Sequence, residues 1–67
     1  MKPFARGDPV EAREMDSSWS RGVVTGVGVY SGITLIEMTT REGWVLRRID
    51  FDVRHMSVLD LIAEELE

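Results

Sequence analysis

The sequence predicts a mainly β fold: a small five-stranded barrel followed by one short C-terminal helix. Three observations carry that expectation. Valine and other β-branched residues recur with a strand-like rhythm through the first 56 residues. Turn-forming groups at Asp16-Ser17-Ser18, Ser31-Gly32 and Glu42-Gly43 interrupt that rhythm at hairpin distances. Only after Ser57 does the apolar spacing become helical. At 67 residues the chain has room for one core, so it is taken as a single domain, residues 1–67. With Cys 0 and a single histidine, neither a disulfide framework nor a zinc site is expected to staple it. Five short strands joined by tight turns are best served by a closed or nearly closed barrel, which removes exposed edges.

The first strand opens at Asp8-Pro9, where Val10 and Ala12 alternate with Glu11 and Arg13. After the Asp16-Ser17-Ser18 turn, a long segment runs from Trp19 to Tyr30. In it Val23, Val27 and Val29 share one parity while Gly22, Gly26 and Gly28 share the other. Glycines weaken a strand, so a glycine stripe is expected where the strand coils tightly or where another backbone or a ligand approaches. Tyr30-Ser31-Gly32 forms the next turn and Ile33 to Thr39 the third strand. Thr40-Arg41-Glu42-Gly43 closes a hairpin, with Gly43 suited to a positive φ. Trp44 to Ile49 and Phe51 to Met56 complete the set, turning a corner at Asp50.

The helix start is well specified. Ser57 is the cap, Asp60 stands three residues later as a capping-box partner, and Met56 is placed to staple to Leu61. Val58, Leu59, Leu61, Ile62, Ala63 and Leu66 cover roughly 200° of the helix, wider than the ~100° stripe that one neighbour would bury. The helix is therefore expected to lie against the barrel as a lid, with part of that face left free for a partner. Residues 1–56 hold eight basic and eight acidic groups, while the last eleven hold Asp60, Glu64, Glu65 and Glu67 and no basic residue. These carboxylates crowd the negative end of the helix dipole, so the end is expected to fray unless something basic meets it.

The run Gly7-Asp8-Pro9-Val10-Glu11-Ala12-Arg13, with Phe4 before it and Trp19, Gly22, Val23 and Val24 after it, resembles the opening of Tudor and related SH3-like barrels. There a G-D-x-V-x-A strand leads through a short turn to W-x-x-G-x-V. The resemblance covers about the first 30 residues. It implies an SH3-like (Tudor-like) five-stranded barrel, expected over about residues 7–56; the C-terminal helix, read from its own cap and spacing, follows over about 57–66. It also sets Trp19 where the first wall of a methyl-cation cage would stand. Tyr30, Trp44 and Phe51 do not follow the family's remaining cage spacing, so these rings are expected to plug or cover the barrel. The same opening is similar to the plasmid-borne type II dihydrofolate reductases, minimal barrels that assemble around one pore lined by a V-Q-x-Y strand. The corresponding stretch here is Val45-Leu46-Arg47-Arg48, without the glutamine and tyrosine. Reductase activity is not expected, while self-assembly remains an expectation.

The functional expectation is a non-catalytic protein-binding module, a small accessory or regulatory protein. Its partner-binding residues are Trp19, Tyr30 and Trp44 at an aromatic end, and Val58, Leu59, Ile62 and Leu66 on the helix. The partner is another protein with a basic surface, or a second copy in a homodimer. The alternative is a nucleic-acid module using Arg47, Arg48 and Arg54 beside Trp44. A net charge of -4 opposes the counterion-release term that drives phosphate binding. Those arginines are expected to pair with Glu37, Asp50 and Asp52 instead. His55 with Asp50 or Asp52 and a serine could be written as a hydrolytic set, but no strained nucleophile turn or oxyanion hole accompanies it, so no catalytic residue is expected. Gly26-Val27-Gly28 lacks the third glycine and following helix of a phosphate loop, and no cofactor or metal is expected. The opening Met-Lys-Pro-Phe-Ala-Arg has no apolar secretory core and nowhere do 18 apolar residues run together, which suggests a cytoplasmic protein without a membrane span. Seven arginines against one lysine suggest GC-rich coding and a bacterial or phage source.

Overall fold

A computed structural model describes residues 3–66. Five strands appear in chain order: β1 (Pro9–Arg13), β2 (Trp19–Tyr30), β3 (Ile33–Thr40), β4 (Val45–Ile49) and β5 (Val53–His55). A 3₁₀ turn, Asp50–Asp52, links β4 to β5, and helix α1 spans Val58–Glu65. All pairings are antiparallel, in the order β4-β3-β2-β1-β5. The strand count, the corner at Asp50 and the final helix follow the sequence expectation.

The turns fall where their residues mark them, although Ser17 and Ser31 hold positive φ, which serine disfavours. Asp16 accepts hydrogen bonds from both the backbone and the hydroxyl of Ser18, which holds its carboxyl below the ordinary range. Ser31 and Gly32 both have positive φ, 53° and 80°, the pattern of a two-residue type I′ hairpin loop. Gly43 has φ +94° in the β3–β4 turn, as expected.

The sheet curls so that Val10, Ala12, Val24, Ile36, Met38 and Val53 meet on its inner face, with Phe4 and Leu46 packed against them. The curl does not close: β4 and β5 remain its two edges, and no ladder joins them. One arginine bridges part of the seam. Arg48 on β4 donates from Nε to the Arg13 carbonyl at the end of β1 (2.8 Å), and from an Nη to the carbonyl of Arg47 (2.8 Å). A side chain thus ties β4 to β1 where a closed barrel would use backbone pairs.

The glycine stripe resolves into two different things. The β2–β3 register shifts between Val24 and Gly26, a bulge that reverses which face successive residues occupy. Gly22 therefore lies with Val24 on the inner face, whereas Gly26 and Gly28 face outward. Val23 likewise departs from Val27 and Val29, contrary to the parity expected. At Gly22 the β3 backbone comes so close that a Cβ would sit 2.1 Å from the Thr39 carbonyl oxygen. At Gly28 the ring of Tyr30 lies over the strand, its Cε2 2.9 Å from where a Cβ would be. Gly22 serves the tight coil; Gly28 makes room for an aromatic ring.

Candidate functional site

Helix α1 is built as its sequence implies and docked in a way it does not. Ser57 accepts from the Asp60 backbone N–H, while Asp60 accepts from the Ser57 N–H and hydroxyl, completing the capping box. The expected lid over the barrel is absent: among the described residues of α1 none is buried. The helix is instead tied to the sheet through its acids. Arg21 on β2 meets Asp60 at 3.4 Å, and Arg41 after β3 makes a two-pronged contact with Glu64 at 3.0 and 3.3 Å.

The register of β2 and β3 explains why two arginines distant in sequence act together. The Arg41 N–H donates to the Arg21 carbonyl at 2.9 Å, which sets the two side chains next to each other. Their partners are one helical turn apart on α1, the i, i+4 spacing that puts both carboxylates on one face. Arg21 is anchored by Glu11, whose carboxylate also accepts from Arg54 at 3.0 Å. Between these two guanidinium groups Glu11 is only 7% exposed, although it sits on the outer face of β1. Hydrogen bonding to Glu11 first, then attraction to Asp60 and Glu64, strengthens the basicity of Arg21. The hydroxyl and backbone of Ser57, and after them Arg21 and Arg54, hold Asp60 below the usual carboxylate range; Arg41 does the same for Glu64. Something basic thus meets the acidic terminus, from within the chain.

Because its acids face the sheet, α1 turns its apolar residues outward. Val58, Leu59, Ile62 and Leu66 are 71%, 79%, 48% and 82% exposed. Their i, i+3, i+4 and i+7 spacings form one stripe. Leu61 is half-buried beside a groove of about 510 Å³ shared with Arg41, Glu64 and Glu65. Trp44, exposed, belongs to the turn that also carries Arg41.

The other aromatic candidates do not join this face. Trp19 is covered by the chain's own arginines, with the Arg54 guanidinium carbon 3.9 Å and that of Arg13 5.0 Å from its ring centroid. The ring expected to stand as a cage wall is in contact with internal cations. Tyr30 is at the opposite end of β2, roughly 35 Å along the strand from Trp19, in a molecule 41 Å long. It borders a separate depression of about 210 Å³ with Gly26, Gly28, Leu35, Glu37 and Arg47. Trp19, Tyr30 and Trp44 therefore do not form one aromatic end.

Arg47, Arg48 and Arg54 are likewise dispersed. Arg47 pairs with Glu37 at 3.0 Å, as expected. Arg48 points to the other face and bridges the seam, and Arg54 sits on the far edge strand against Glu11 and Trp19 rather than Asp50 or Asp52. His55 stacks on Phe4, ring centroids 4.4 Å apart, and its Nδ1 lies 3.9 Å from Asp8. Among the described residues, no group of three or more histidine or carboxylate side chains is arranged to hold a metal ion, and no helix is long and apolar enough to cross a membrane. No protein-family model, curated protein or solved structure matches the chain.

Sequence reasoning missed Arg21, Arg41 and Glu11, the three residues that orient the helix. Arg21 and Asp60 are 39 residues apart, and no local spacing encodes their meeting.

Proposed function

We propose that this chain is a non-catalytic protein-recognition module with an SH3-like sheet, which engages another protein through the outward stripe of α1. The strand order β5-β1-β2-β3-β4, with a 3₁₀ turn between β4 and β5, is the order expected of that fold and supports the assignment. The single observation that carries the functional reading is the inverted docking of α1. Four apolar side chains face water while two carboxylates of the same helix are engaged with arginines. Leaving Leu59 and Leu66 in water forgoes about 1.5 kcal/mol or more for each side chain that could have been buried. A contiguous apolar surface kept open in this manner marks an interaction site. The ion pairs on the opposite side hold the helix in place without covering the stripe.

The test is site-specific photocrosslinking. A photoreactive residue replacing Leu59, in an extract of the source cells, is expected to give a discrete adduct suppressed by excess unlabelled wild type but not by excess I62E. Adducts that both competitors suppress equally, or none above those from the same probe at Val29, would reject the reading.

A further inference from the structure

Resting on that reading, we infer that the occupant of the α1 stripe is an amphipathic helix with basic flanks, rather than a second copy of this chain. The stripe of Val58, Leu59, Ile62 and Leu66 is the kind of surface that pairs with another helix carrying apolar residues at i, i+3 and i+4. Its four side chains offer a few hundred Å² of apolar surface, enough for a weak, reversible contact and below the ~800 Å² per partner of a standard interface. Charge then decides among occupants. From Ser57 onward the sequence has four carboxylates and no basic residue. Asp60 and Glu64 are engaged by Arg21 and Arg41, whereas exposed Glu65 borders the groove beside Leu61 with no basic residue in the helix's last turn.

A second copy would bring an equally acidic helix to this rim, and each chain carries a net charge of -4. Like charges brought together at a contact disfavour it. An anionic lipid surface is disfavoured for the same reason. A helix with lysine or arginine beside its apolar stripe satisfies both features, the apolar residues covering Leu59, Ile62 and Leu66 and the cations meeting Glu65.

Fluorescence anisotropy with two synthetic peptides tests this. Each is about 18 residues long with leucine at helical i, i+3, i+4 and i+7 spacing, one bearing lysine and the other glutamate at the remaining positions. The lysine peptide is expected to bind the full chain at least ~10-fold more tightly than the glutamate peptide, and to weaken as salt rises. I62E and, as a second probe of the stripe, L59E should each lower that affinity ~10-fold or more. E65Q should lower it about two- to threefold, while V29K, which changes the net charge equally at the distant end of the molecule, should not.

Equal affinity for the two peptides, or equal effects of E65Q and V29K, would overturn the inference. Sedimentation of the chain alone completes the test. A dimer abolished by I62E makes the second copy the occupant, which overturns the inference and leaves protein recognition standing. A monomer that binds neither peptide, together with no specific crosslink from position 59, removes both.

Discussion

Replacing Gly22 with alanine should be among the most damaging single-methyl changes in this chain, and its size follows from one distance. The new Cβ would lie 2.1 Å from the Thr39 carbonyl oxygen, 2.8 Å from its carbon and 2.7 Å from the Met38 methyl. The methyl can rotate away; the carbonyl belongs to a paired strand. Restoring ordinary contact requires β3 to retreat by more than 1 Å, about a quarter of the ~4.8 Å strand spacing. Overpacking of that kind costs about 1–3 kcal/mol, and loosening one ladder bond adds about 1 kcal/mol. The entropy lost by the unfolded chain returns about 0.4–1 kcal/mol. The net is roughly 1–3.5 kcal/mol, from a total that for a chain of this length is about 3–10 kcal/mol. At about 4–8 °C per kcal/mol, the melting midpoint should fall by roughly 4–28 °C. G26A is the control, because its Cβ would meet only the Glu37 Cβ at 3.9 Å. It should be neutral or stabilising by up to about 1 kcal/mol. G28A should fall between them, since Tyr30 is exposed and its ring can swing aside. Urea titrations of the three variants give the ordering. Equal stability of G22A and G26A would refute the close approach of β3 and, with it, the described curl of the sheet.

Three further outcomes follow. R48M, which keeps the aliphatic stem and removes both donors to the Arg13 and Arg47 carbonyls, should lower stability by about 1–3 kcal/mol; a denaturant midpoint unchanged within error would show that the seam does not depend on it. S31G should raise stability by a few tenths to about 1 kcal/mol, because Ser31 holds φ 53° where glycine is unstrained; a lower midpoint would mean another turn geometry. The docking of α1 should be pH-dependent. Asp60 and Glu64 are held below their ordinary values of 3.8 and 4.5, so their contribution is full above those values and disappears as the pH falls through the depressed ones. Relative to the intrinsic rate at each pH, protection of the α1 amides should fall as the pH drops below the ordinary carboxylate range, before the sheet loses protection, and simultaneous loss in both would contradict a helix held by carboxylates.

The strands were legible because each is written in local chemistry: alternation in Val10 to Arg13, an Asx turn at Asp16, glycines at the two later hairpins, and Ser57 with Asp60 at the helix start. What was not legible depends on contacts remote in sequence. The bulge at Thr25 reverses the parity that Val23 shares with Val27 and Val29, and nothing in the residues announces it. Closure of the barrel depended on β4 meeting β5, and Arg48 bridging to β1 is a contact across 35 residues. The helix stripe was recognised as apolar, too wide for one neighbour and partly free for a partner, and Val58, Leu59, Ile62 and Leu66 are exposed. What was not legible is what meets the other side of the helix: two arginines brought together by the β2–β3 register. Trp19 shows the same limit: its place in the motif points to a cage wall, while Arg54 and Arg13 arrive at its ring from β5 and β1.

The outward orientation of α1 is what the functional account rests on, and thiol reactivity measures it directly. The chain has no cysteine, so L59C, L61C and V24C each provide one unambiguous probe. The account predicts that the thiol at 59 reacts with a neutral disulfide reagent at nearly the rate of an unfolded peptide, that the one at 61 reacts more slowly, and that the one at 24 is strongly protected. A thiol at 59 as protected as the one at 24, in a monomeric and folded chain, would show the stripe packed against the sheet and contradict the account.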